Sequence, residues 1–224
     1  MIQRSNKLFR TIKMIKTKKL FAILLFSNLI FSIGNYLLAQ GTIKSVKIGT
    51  QVWMAENLNV TRFRNGDSIP EVKDQYEWRN LKTAAWCYYK NDPENGKKYG
   101  KLYNWYAVFD SRGLAPTGWH IPTRDEFLTL KNVTNDNSNV LKAIGQGSGS
   151  GAGTDTTGFS VLLSGYRGYF GYFYYLSYDA YFWSSTEGYA SSFASSLYLY
   201  SSGSYLFFYD FDKVYGFSLR CLQD

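Results

Sequence analysis

One histidine, two cysteines and a few adjacent carboxylates are the residues with which this 224-residue chain could do chemistry. His120 would serve as a general base. It sits between Trp119 and Ile121, just ahead of a helix-capping signal, so the reading favours a hydrogen-bonded turn residue. A Ser-His-Asp triad would have to use it, and no nucleophile elbow accompanies it. Gly147-Ser148-Gly149-Ser150-Gly151 has those letters only through low complexity. Asp125 and Glu126 form a carboxylate pair of the kind glycoside hydrolysis needs. Neighbouring helical residues point in different directions, however, and Glu126 is better used as a cap. Asp210 and Asp212 share one strand face by their spacing of two and could hold a cation through oxygen ligands. A solvated face is the commoner use of such a pair. With one His and two Cys, His-rich and Cys₄ metal sites are excluded. The expectation is a protein that is not an enzyme and needs no cofactor, with calcium left open but unsupported by a recognised motif.

The aromatic residues make the stronger signal. Residues 166–215 hold 13 of the 20 tyrosines. Tyr offers an apolar ring and a polar tip, suited to interfaces and to stacking on sugars. The run Tyr169-Phe170-Gly171-Tyr172-Phe173-Tyr174-Tyr175 is too aromatic to be wholly buried in a small domain. Packing in a core of short strands is the competing reading. The segment 168–180 is the candidate recognition loop, with Tyr169, Tyr172, Tyr174, Tyr175 and Tyr178 as its ligand-binding residues.

Several elements must position these groups. Residues 42–60 read as strand material, with Ile43, Val46, Ile48, Val52 and Trp53 interrupted at Gly49-Thr50, a hairpin turn. Residues 61–80 read as polar and irregular, with a turn at Asn65-Gly66-Asp67. Thr83–Tyr89 reads as a buried strand and Asn91–Gly96 as loop. Leu102, Trp105, Tyr106 and Phe109 fall at helical spacing. Thr123 and Glu126 fit a capping box that opens a helix ending near Asn135. Val140 to Ile144 reads as a short helix, and Gln146 to Gly158 as a Gly-rich surface loop without the Gly-Lys-Ser/Thr of a P-loop. From Phe159 the pattern is strand-like, with half-buried alternation in Ser196–Tyr200 and Phe217–Cys221. No linker or internal repeat is visible. The expected architecture is a single α+β domain over 41–224, with short antiparallel strands and two or three helices.

Charge and the first forty residues bear on partners and location. Of the 25 Lys and Arg, seven lie in residues 1–40, which contain no Asp or Glu; elsewhere 18 basic residues face 17 acidic ones. The basic excess is thus local, and no nucleic-acid partner is expected. A basic run to Lys19, an apolar stretch from Leu20 to Ile33 and small residues up to Ala39-Gln40 are the three parts of a secretory signal. Leu20 to Ala39 approaches bilayer length. Asn28, Gly34 and Asn35 dilute it and no basic flank follows, so 1–40 reads as a signal, with membrane contact only through it. Export predicts a secreted or cell-surface protein. In that oxidising setting an even Cys count favours a Cys87–Cys221 disulfide, contributing about 4–5 kcal/mol by the chain-entropy estimate. Two buried free thiols are the alternative.

Longer blocks carry a family resemblance. They are Gly49–Leu58, Tyr99–Val108, Leu114–Thr123, Gly165-Tyr166-Arg167, Trp183–Glu187 and Gly216–Cys221. In that order, over nearly all of 47–224, they resemble the Fibrobacter succinogenes major paralogous domain, found in exported and cell-surface bacterial proteins. The Trp119–Thr123 turn before a helix also resembles the C-type-lectin-like fold, which formylglycine-generating enzymes share. That likeness implies a fold and no function. The calcium motifs of sugar-binding lectins are missing, as is the oxidising cysteine pair of those enzymes. Together the readings predict an exported, non-catalytic recognition module that binds a glycan or a cell-surface protein through its Tyr-rich segment. The alternatives are a structural subunit of a surface assembly and, less favoured, an unrecognised enzyme.

Overall fold

The computed structural model describes residues 43–224, and residues 44–224 form one compact unit. The signal at 1–40 lies outside the described residues. Among the described residues, no helix is long and apolar enough to cross a membrane.

The unit is a mixed α/β fold built mostly of strands. β1 (Ser45–Ile48) and β2 (Gln51–Met54) form the expected hairpin, turning at Gly49 with φ of 61°. This hairpin is extended by β11 (Leu222–Gln223) and then β5 (Trp119–His120) into a four-stranded sheet. A two-stranded ladder pairs β3 (Trp86–Cys87) with β4 (Leu102–Tyr103). The largest sheet has five strands in the order β10-β9-β8-β6-β7. Its members are β6 (Ser164–Arg167), β7 (Phe173–Leu176), β8 (Asp179–Glu187), β9 (Phe193–Tyr200) and β10 (Phe207–Asp212).

Among the described residues there are four α-helices, one more than the upper expectation. α1 (Gln75–Arg79) and α2 (Pro93–Tyr99) arise where irregular chain and loop were expected. Both start on an aspartate, Asp74 and Asp92, whose side chain accepts a backbone N–H. Pro93 stands at the first position of α2, where a missing N–H costs nothing. α2 tolerates Gly96 because any Cβ there would collide with the Tyr88 ring. The helical spacing of Leu102 to Phe109 resolves into β4 followed by α3 (Trp105–Val108), a single turn capped by Asn104. That Asn also accepts from Ala85 and donates to Thr83, so it ties two segments together and the pattern cannot extend backwards as helix. α4 (Arg124–Val133) carries both halves of the Thr123–Glu126 capping box. Val140 belongs to a 3₁₀ turn, Ser138–Val140, in place of a short helix after it.

The main core lies between α4, the β1–β2 hairpin and one face of the five-stranded sheet. Trp53, Phe127, Phe159, Phe182, Leu197 and Leu199 are all buried in it. Trp53 stacks on Phe127 at 5.3 Å and meets Phe159 edge-on at 5.6 Å. A second cluster under α1 gathers Val72, Trp78, Cys87, Tyr89, Leu102 and Val214.

Tyr215–Cys221 departs from the half-buried strand expected. Its residues 216–221 are buried on both sides. The segment makes single bridges from Gly216 to Arg167, Phe217 to Tyr103 and Ser218 to Phe182. It fills the gap where β6 and β8, joined only at Gly165 and Ala180, separate.

The disulfide expectation is also corrected. Cys87 and Cys221 are both free and buried. Cys87 lies in the second cluster beside the Arg167 guanidinium, whereas Cys221 leads into β11, its carbonyl accepting from Met54. Two different sheets hold them, each within its own packing. Burial pushes both thiols up to about 12, so neither is a reactive thiolate at neutral pH.

Candidate functional site

The outer face of the five-stranded sheet is aromatic from edge to edge. Alternation along β8 sends Ala180 and Phe182 into the core and Asp179 and Tyr181 to the opposite face. The register places Tyr181 opposite Tyr198 on β9, Tyr198 opposite Phe207 on β10, and Tyr166 on β6 opposite Tyr174 on β7. The rings therefore form a cross-strand row. Tyr174 to Tyr166 is 5.5 Å, Tyr166 to Tyr181 is 5.0 Å, Tyr181 to Tyr198 is 4.6 Å and Tyr198 to Phe207 is 5.9 Å. Tyr209 continues the row, stacked on Phe207 at 6.2 Å. The inner rings are largely covered, while outer ones such as Tyr175 and Tyr209 are 56% and 50% exposed.

Tyr175 shows how the row is assembled. Consecutive strand residues ordinarily face opposite sides of a sheet. Tyr174 and Tyr175 nevertheless both lie against Tyr166, because Tyr175 adopts φ of 58°. A left-handed backbone at a bulky residue persists only where its surroundings enforce it, and such strain clusters at functional positions. Gly165, opposite, also has positive φ, and a Cβ there would meet the Tyr174 carbonyl and the Leu176 N–H.

One carboxyl stands in the row. Asp179 is 8% exposed, with the Tyr198 hydroxyl at 3.5 Å. Burial pushes its carboxyl up to about 6, against the pull of hydrogen bonds from Tyr198 and Tyr181. The phenols of Tyr166, Tyr181 and Tyr198 are raised too, first by burial and also by this neighbouring negative charge.

The five tyrosines expected from the sequence are distributed unequally. Tyr174 and Tyr175 join the row, and Tyr178 is exposed in the β7–β8 turn. Tyr172 is exposed in the β6–β7 turn, at its far end. Tyr169 is half-buried, set edge-on to Phe170 and packed on the second core cluster. The row's remaining members, Tyr166, Tyr181, Tyr198, Phe207 and Tyr209, lie outside the run singled out by composition. The period-two spacing of Phe207, Tyr209 and Phe211 is the signal that points to the two on β10.

The other candidates are structurally committed. His120 on β5 lies between two carboxylates, Nδ1 at 2.8 Å from Asp224 and Nε2 at 2.9 Å from Glu126. Burial lowers its pKa, but those two partners outweigh it and the net shift is upward. Protonated His120 thus stabilises the fold fully below the unfolded pKa of roughly 6.5, and the contribution disappears as pH rises through the higher folded value. Replacing His120 with Gln is expected to destabilise the protein more at pH 5.5 than at pH 8.5, as read by denaturant midpoints. An equal loss at both values would contradict the assignment. Asp125 takes no part in a carboxylate pair, since Glu126 serves the cap and His120. Asp210 accepts from Tyr189 N–H and Asp212 from Val214 N–H, so each organises a different turn. Among the described residues, no three His, Cys, Asp or Glu side chains gather where a metal could bind.

A cleft of about 450 Å³ opens between the first hairpin and α2, lined by Lys44, Asn57, Lys97, Tyr99 and Arg220 among others. Of its exposed cations, Lys44 pairs with Glu56 and Lys97 with Glu94, each at 2.6 Å, while Lys98 lies over the Tyr99 ring. Arg220 points its donors inward at Met54, Phe159 and Asn57.

Fold and site define a mixed α/β domain whose largest sheet packs one face on a helix and presents an aromatic face outward. The chain belongs to the Fibrobacter succinogenes major domain family, whose model matches residues 46–223. Comparison with curated proteins and with solved structures yields no match.

Proposed function

We propose that the protein is an exported, non-catalytic recognition module that binds a cell-surface glycan through the aromatic face of its five-stranded sheet. The observation that carries this reading is the cross-strand row from Tyr174 to Tyr209, whose outer rings remain open to solvent. Tyr rings stack on the apolar faces of sugars while their hydroxyls meet the sugar's own. A continuous apolar surface of this kind on a folded domain marks an interaction site. A C-type-lectin-like fold belongs to the same proposal, supported by the Trp119–Thr123 turn leading into the capped α4.

A glycan array and insoluble-polysaccharide pull-down on the purified protein, with and without chelator, test the reading. Saturable, chelator-insensitive binding that falls at least ten-fold in Tyr175→Ala/Tyr209→Ala is expected. Both positions are exposed, so the variant keeps its fold. Unchanged binding in a folded double variant would remove the site. A concentration-dependent oligomer seen by light scattering, with no glycan bound, would favour an assembly subunit whose aromatic face is covered by a second chain.

A further inference from the structure

Asp179 refines the chemistry of that ligand, and the inference rests on the recognition reading above. Among the described residues, its carboxyl has no cationic partner. The groups that face it are phenols: Tyr181 on its own strand, Tyr166 on β6, and Tyr198 on β9. Tyr200 stands directly opposite it in the β8–β9 register. The cations in and around the sheet are engaged elsewhere. Arg167 is buried over Trp78 and donates to the carbonyls of Val72, Lys73, Asp74 and Gly171. Lys213 pairs with Glu187 at 2.6 Å and lies over Trp105. Lys142 donates to the carbonyls of Gly151, Tyr200 and Gly203.

An enclosed carboxylate is unfavourable without a counter-charge. Electron-rich ring faces around it attract a cation as well. The row crosses five strands, which suits an extended polymer better than a single inserted side chain. We propose that the aromatic face binds an amino-sugar polysaccharide, with sugar rings against the tyrosines and a protonated primary amine on the Asp179 carboxylate. Acetylating that amine removes the charge and adds bulk at the carboxylate.

Calorimetric titration at pH 6.5 tests this with three probes: a β-1,4-linked glucosamine hexamer, its fully N-acetylated counterpart, and hexalysine. The expected result is that the free-amine hexamer binds at least ten-fold more tightly than the acetylated one. Asp179→Asn, which keeps shape and removes charge, should abolish that preference. Equal affinity for the two hexamers in the unmodified protein would overturn the amine assignment while leaving glycan recognition standing. A preference that survives in Asp179→Asn would overturn the role of this carboxylate. Tighter binding of hexalysine than of either sugar would overturn the sugar in favour of a basic peptide. Failure of the folded protein to bind any of the three, or any array glycan, would overturn both readings.

Discussion

Replacing Arg220 with methionine is expected to lower the unfolding free energy by about 3–5 kcal/mol, a large part of what a domain of this size possesses. The guanidinium is 1% exposed and is held by acceptors on two separate segments, 54–57 and Phe159. It donates to Met54 O at 3.1 Å, to Phe159 O, and twice to Asn57 Oδ1, at 2.8 and 3.1 Å. It also lies 4.6 Å over the Phe159 ring. Methionine fills much of the volume but donates nothing, so these buried acceptors lose their partner. Each orphaned acceptor costs about 1–3 kcal/mol, partly relieved by relaxation. Arg220→Lys should be intermediate, because a single ammonium cannot reproduce the fork. Urea unfolding followed by tryptophan fluorescence measures the difference. A loss below about 1 kcal/mol would mean that this hub contributes little to the fold.

Replacing Asp179 with asparagine should act in the opposite direction. The folded carboxyl is raised from 3.8 to about 6 by burial. Between those values the folded chain holds a proton that the unfolded chain releases, so stability falls as pH rises. Above about 6 the penalty is constant. The whole shift corresponds to about 3 kcal/mol, and the carboxyl's partial contact with solvent reduces this to about 1–2 kcal/mol. Asp179→Asn is therefore expected to be more stable than the unmodified protein at pH 7.5 and no more stable at pH 4. Denaturant midpoints at the two pH values test it, and a variant destabilised at pH 7.5 would show that the carboxylate is a structural partner. A residue that destabilises the fold at neutral pH while standing in an aromatic row with solvent-open outer rings has the profile of a ligand contact.

The blocks that identify the family prove to be framework. Arg167 of Gly165-Tyr166-Arg167 gathers the carbonyls that enter α1. Trp105 donates to Ser184 O at 2.8 Å and Trp183 to Tyr103 O at 3.0 Å, locking α3 and β4 onto β8. Asn104 joins Thr83, Ala85 and Ala107. Each of these side chains satisfies buried backbone groups that the fold would otherwise leave without partners. The proposed ligand face lies mostly outside those blocks, Tyr166 being the member they share.

Local chemistry was legible in the residues alone. The Gly49-Thr50 hairpin, the capping box before α4, the strands after Phe159 and the ordered blocks of the family each depend on neighbours in the chain. For the same reason the Asp-capped helices α1 and α2 were open to reading, the Asp92-Pro93 step above all, though their polar composition resembles loop. Tertiary structure alone decided the rest. The separation of β6 from β8 draws Gly216–Ser218 into the interior and buries a segment whose alternation suggests an exposed side. Placement of the cysteines in different sheets leaves free thiols where an even count suggested a bond. The site shows the division most clearly. Of the five tyrosines singled out between 169 and 178, Tyr174 and Tyr175 join the row, which needs Tyr166, Tyr181, Tyr198 and Tyr209 beside them, and Asp179 among them. Those residues come from different strands, and cross-strand register, which sets their neighbours, is fixed by pairing in three dimensions and not by spacing along the chain.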